Sequence, residues 1–202
     1  MQQRSKTFKL ILGAMFIALT AIGANITAII PFLVIGGVPI TLQTVFSILA
    51  GLVLGSRFGS FTMFAYMLIG LAGAPIFARF AGGIGMIISP TFGFVVAFIV
   101  TAYVAGKIRE RKETFNGYLI GAIVGLLINY IIGTHWMYAA YTLWFEAPEN
   151  FTYGLVWLWM ALPFVKDFLL TIAIALVAYR LQKLGYVIFE RSKIRETDSL
   201  QN

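Results

Sequence analysis

Arg79 is the only charge in the segment Phe77–Phe94, FARFAGGIGMIISPTFGF. A guanidinium is a fixed cation with a forked set of donors, suited to a carboxylate. Gly82, Gly83 and Gly85 beside it let the backbone bend and come close to a ligand. The bland alternative is an interfacial Arg reaching lipid phosphate. Lys166-Asp167 is a second candidate, set deep in the apolar run Leu155–Tyr179. Ionisable groups at such depth are costly unless paired or wetted, and they mark solute pathways or structural pairs. Neighbouring helical positions point about 100° apart, so Asp167 rather than the pair is expected at a pocket. Its carboxylate accepts from N–H donors. Pro163, one turn earlier, is expected to break the helix and open a cavity.

Gln43, with Thr41 and Thr44, follows Pro39. These residues either tie helices together or orient a ligand. Asn129 and Tyr130 fall in the middle of an apolar stretch, where an amide needs a partner from protein or ligand. His135, the only histidine, stands beside Trp136 and reads as an interfacial residue in an aromatic belt. No second ligand clusters with it, so no metal site is expected. Ala14 and Ala18 form a small-xxx-small pair, flanked by Gly13 and Ala21. Such strips allow close helix approach, within the bundle or to a partner.

The elements that position these residues follow from composition. Of 202 residues, 60% are apolar and 11% charged, about half the charge of a soluble domain. The class is an all-α polytopic membrane protein. Six spans are expected: Leu10–Ile30, Ile40–Leu54, Phe61–Leu71, Thr91–Ala105, Phe115–Tyr138 and Leu155–Tyr179. Ser56–Gly59 is expected as a tight turn, Lys107–Glu113 as a charged loop and Phe145–Thr152 as a polar loop. The first run is too long for the apolar core of a cleaved signal. Residues 1–185 form one transmembrane domain, and 186–202 a cytoplasmic tail. With both termini inside, 13 of the 15 basic residues fall on the inner side; only Arg79 and Lys166 do not. That asymmetry fixes the orientation and places loops 36–39, 72–90 and 145–152 outside. The net charge of +7 therefore reflects topology, not nucleic-acid binding.

Several chemistries are excluded. Without cysteine there is no disulfide frame or thiolate site. No phosphate-binding G-x-x-x-x-G-K-[ST] occurs, so the chain does not itself hydrolyse ATP in that way. No G-x-S-x-G elbow or paired carboxylates suit an enzyme. An intramembrane enzyme would have to use His135, and an assembly factor without a ligand is the other reading from a different class.

GVPITLQT (Gly37–Thr44), LAGLVLGSRFG (Leu49–Gly59), AYMLIGLAGAPIFA (Ala65–Ala78) and SPTFGF (Ser89–Phe94) resemble the BioY family. These are the biotin-specific S components of energy-coupling-factor (ECF) transporters, and the resemblance spans about Leu10 to Tyr179. It implies a six-helix bundle in the cell membrane, a biotin pocket open to the outside, and no cofactor beyond the transported biotin. The implied partners are the bilayer, a transmembrane T component and separate ATPase subunits. The Ala14/Ala18 strip resembles the surface with which S components dock on the T component. Biotin carries a ureido ring, an apolar bicycle and chain, and a carboxylate. Asp167 and Asn129 suit the ureido group, Arg79 or Lys166 the carboxylate, and Phe77, Phe92 and Tyr66 the apolar walls. The last span departs from the family pattern PFxPGDxxK. It reads PFVKDFLL, with Lys166 directly before Asp167 and Leu170 where Lys is usual, and Phe94 replaces a common Tyr. A related vitamin, or uptake without the energising module, stays open at this point.

Overall fold

A computed structural model describes residues 2–26, 34–35 and 38–199, with side chains for 7–26 and 40–184. Among the described residues, six helices carry the fold: α1 (Gln2–Ala24), α2 (Gln43–Leu54), α3 (Ser56–Leu71), α4 (Phe92–Arg111), α5 (Phe115–Leu143) and α6 (Tyr153–Ser199). A two-residue antiparallel ladder pairs Val34–Ile35 with Val38–Pro39. The expected end of the first span at Pro31, and the turn at Gly36-Gly37, lie outside the described residues.

Among the described residues, four helices are long and apolar enough to cross a membrane: the Thr7–Ala24 part of α1, α4, α5 and the Tyr153–Leu184 part of α6. The other two are shorter, with 12 residues in α2 and 16 in α3. At 1.5 Å per residue neither matches a hydrocarbon core of about 30 Å. Two 3₁₀ turns, Ala78–Phe80 and Ile84–Ile88, lie between α3 and α4.

The expected turn at Ser56–Gly59 is instead the first turn of α3. The chain reverses on Gly55 alone, at φ +87°, a left-handed value that suits glycine. Glu110 makes this possible. Its carboxylate accepts from the Ser56 backbone N–H at 2.7 Å and from the Ser56 hydroxyl at 2.9 Å, so an anion caps the positive end of α3. Arg109 donates to the carbonyls of Leu52 and Val53 at the C-terminus of α2, where a cation is favoured. For the same reason Lys107–Arg111 is not loop but the last turns of α4, held by these bonds. The expected break at Pro163 is also absent: α6 runs through it and on past Gly185. Proline removes one ladder bond, and such losses are tolerated within spanning helices where neighbours satisfy the freed group.

Two apolar clusters hold the bundle. One joins α2, α5 and α6 through Ile48, Leu52, Leu126, Tyr130 and Met160; the other joins α1 to α4 through Phe16, Met63, Tyr66, Phe77 and Phe98. Between them α2 and α4 cross closely. A Cβ on Gly51 would stand 2.2 Å from the Ala102 carbonyl oxygen, so only glycine fits there.

Candidate ligand-binding site

A cavity of about 80 Å³ opens where the two clusters meet. Thr41, Gln43 and Thr44 line it from the start of α2, and Phe77, Ala78, Met86 and Thr91 from the α3–α4 connection. Phe92, Phe94, Val95 and Phe98 come from α4, Tyr130 from α5, and Met160, Pro163, Lys166 and Asp167 from α6.

Lys166 and Asp167 both reach it, against the expectation that neighbours on a helix diverge. The flexible Lys stem folds back, bringing its ammonium within 2.7 Å of Asp167 Oδ1. It also donates to the Thr41 carbonyl, so Lys166 bridges opposite walls. Asp167 is nearly fully buried, whereas Lys166 is 27% exposed. The Tyr130 hydroxyl donates to Asp167 Oδ2 at 2.7 Å. Oδ1 has the ammonium beside it but no aligned hydrogen-bond donor. Asn129 Nδ2 donates to Thr44 Oγ1 at 3.1 Å, while Asn129 Oδ1 is buried without a donor. Asn129 Oδ1 thus has unused capacity, a costly state in an apolar bundle.

The opposite wall is aromatic. Tyr66–Phe77, Phe77–Phe92 and Phe92–Trp136 form a chain of edge-to-face contacts, with centroids 5.6, 6.4 and 6.1 Å apart, the arrangement aromatic quadrupoles favour. Tyr66 sits behind the lining: its hydroxyl donates to the Ile76 carbonyl at 2.7 Å and accepts from Gln43 Nε2 at 2.8 Å. It thereby ties a cavity residue to the α3–α4 connection.

That connection is pinned along its length. Phe80 N donates to Asn25 Oδ1 at 2.5 Å. Trp136 Nε1 donates to the Ser89 carbonyl at 3.1 Å, and Trp144 Nε1 to the Ile88 carbonyl at 2.7 Å. Gly82 is outside the lining. A Cβ there would stand 2.3 Å from the Ala74 carbonyl oxygen, so it packs the segment on itself. Arg79 is also outside the lining, exposed on a left-handed turn with φ +61°. His135 is exposed as well, with Nδ1 2.7 Å from the Ile131 carbonyl and Nε2 3.1 Å from the Tyr153 hydroxyl.

Of the residues singled out from sequence, Thr41, Gln43, Phe77, Phe92, Lys166 and Asp167 line the cavity, while Tyr66 and Asn129 stand one layer behind. Tyr130 carries more than its sequence position suggested. Its signal was a hydroxyl in an apolar span, which must find a partner. Met86, Phe98 and Met160 had no signal beyond apolarity. Far from the cavity, Ala14 and Ala18 are exposed on α1 beside Leu10, Ile11 and Met15. No part of the described bundle covers them. Gly13 instead faces inward, against Phe58 and Thr62.

The cavity therefore offers paired opposite charges at one end, amide and hydroxyl groups beside them, and an apolar remainder. The chemistry of its lining suits a small solute with N–H and carbonyl groups at one end and an apolar body. The family model described as the BioY family matches residues 1–186. The chain is 38% identical over 179 residues to the "Putative biotin transporter BioYB" of Bacillus subtilis (strain 168), covering 88% of each. It is 36% identical over 177 residues to the "Biotin transporter BioY" of Thermotoga maritima, covering 87% of this chain and 96% of that one. The fold is shared with a crystal structure of the S-component for biotin from an ECF-type ABC transporter, at TM-score 0.67 and 20% identity, over 91% of this chain and 95% of the other.

Proposed function

The chain belongs to the BioY family, and from that premise we propose that it captures biotin at the outer face of the cell membrane for uptake. It is a transport subunit, not an enzyme, and biotin is its ligand rather than a cofactor. The observation that carries the reading is the Lys166–Asp167 pair with Tyr130 at one end of an aromatic cavity.

The geometry favours one orientation of the ligand. Charges 2.7 Å apart cannot serve opposite ends of an extended molecule. Both therefore meet the ureido ring: Asp167 accepts from an N–H, and Lys166 donates to the ureido carbonyl. Gln43, in the wall, supports that head, and Asn129 reaches it through Thr44. The bicycle and chain lie along Phe77, Phe92 and Met86, and the carboxylate faces the side of the loop bearing Arg79. Ligand pockets usually enclose roughly 300 Å³ or more, against about 80 Å³ here. Binding therefore requires Lys166 to leave the Thr41 carbonyl, which opens the space between α2 and α6.

The placement of the basic residues supports six crossings with both termini inside. Residues 1–185 form the transmembrane domain and 186–202 the inner tail. The Ala14/Ala18 face of α1 docks on the T component of an energy-coupling module whose ATPase subunits supply the energy. A titration without ATP tests the capture step. Biotin should give saturable heat with the purified full chain, and other vitamins should not. Saturation by another vitamin and silence with biotin would overturn the ligand assignment.

A further inference from the structure

A larger cavity, about 320 Å³, lies between α5 and α6 and backs onto the first. Tyr130 and Met160 line both. Its other walls include Leu127, Ile131, Trp157 and Ala161. Leu127 and Ile131 flank Asn129, the central residue of α5, and are half exposed. The groove therefore opens sideways at mid-span depth, where the surrounding medium is hydrocarbon. The helix repeat continues the same two faces toward one end. One turn beyond Ile131 comes His135, and one turn before Trp157 comes Tyr153. Their side chains meet, with His135 Nε2 3.1 Å from the Tyr153 hydroxyl, both exposed. The ring of Trp157 packs edge-on against His135 at 6.2 Å. An apolar trough thus ends in an exposed polar pair, the profile of an amphiphile: tail below, head above.

We propose that this groove is a binding site for one acyl chain of an outer-leaflet phospholipid, with the headgroup at the His135–Tyr153 rim. The outer position rests on the orientation proposed above; the acyl occupant rests only on the groove. A tail seated there packs on the far side of Tyr130 and Met160, which also wall the polar cavity.

The test uses the full chain in phosphatidylglycerol nanodiscs doped with a phosphatidylcholine whose acyl chain carries a diazirine. After illumination, labelled positions are mapped by peptide mass spectrometry. Insertion should concentrate several-fold at Leu127, Ile131, Trp157 and Ala161 relative to Leu158, an exposed apolar residue of α6. Ala161→Trp, which fills the trough, should lower groove labelling to the Leu158 level. Ile131→Trp serves the same purpose should the first variant misfold. Equal labelling at Leu158 and the groove in the parent chain would mean ordinary annular lipid and overturn the proposal. So would a groove protected from label in a sample where the chain is dimeric, which would assign it to a second copy. Biotin binding measured on the same discs separates this proposal from the functional one: selective labelling without biotin binding overturns only the latter.

Discussion

At the scale of single residues, the site turns on one buried carboxylate. Asp167 is kept in an apolar bundle by Lys166 and by the Tyr130 hydroxyl. Removing one partner of a buried charge leaves it under-solvated, at about 1.5–3 kcal/mol per lost hydrogen bond to a charged group. Tyr130→Phe should therefore lower thermal stability and weaken biotin binding together; an unchanged melting temperature in a calorimeter would remove Tyr130 from this role. Sequence alone revealed that Asp167 and Lys166 were out of place in hydrocarbon. It did not reveal that they meet, because the angular rule for neighbouring positions ignores the reach of a four-carbon stem. Arg79 drew attention as a solitary charge among glycines, yet its backbone turn carries it outside the cavity lining. A guanidinium's surroundings depend on loop φ and ψ, which spacing does not encode.

At the scale of elements, the shape of the bundle depends on bonds between residues distant in the chain. The turn expected at Ser56–Gly59 became helix because Glu110, 54 positions away, caps it. No local pattern contains that partner. Glu110→Ala should cost about 1 kcal/mol, as cap losses do. It should lower the melting temperature and leave biotin affinity unchanged, since Glu110 is outside the cavity; an unchanged melting temperature would contradict the cap. The α3–α4 connection is held by two indole N–H groups, Trp136 on α5 and Trp144 just past its end. Trp144→Phe keeps the ring and removes one of these bonds. In a chase of radiolabelled biotin, release should be a few-fold faster. Release at the parental rate would mean that this end of the loop does not gate the site. The existence of the long helices α4, α5 and α6 was legible from apolar runs. Their ends were not, because Arg109 and Glu110 look like loop residues until their partners are seen.

At the scale of the whole molecule, 13 of 15 basic residues sort to one side when both termini are placed inside. The chain has no cysteine, so single cysteines report topology without background. Glu149→Cys should react with an impermeant maleimide from outside intact cells, and Lys112→Cys only after permeabilisation. The reverse pattern would invert the proposed orientation and put the cavity mouth on the wrong side for capture. Among the described residues nothing covers the Ala14/Ala18 face of α1, as a docking face requires. The family and its fold could be recognised in the stretch Val38–Phe94. The assignment of each ligand group could not, since it depends on which side chains share the cavity.

The proposed orientation has Lys166 and Asp167 together holding the ureido end of biotin. It is tested most directly by titrating biotin and biotin methyl ester into the parent chain and into Lys166→Met. Any general damage from the substitution affects both ligands alike and cancels in the comparison. The variant should lose at least tenfold, about 1.4 kcal/mol, equally for the acid and the ester. A loss seen with biotin but not with its ester would place Lys166 at the carboxylate and contradict it.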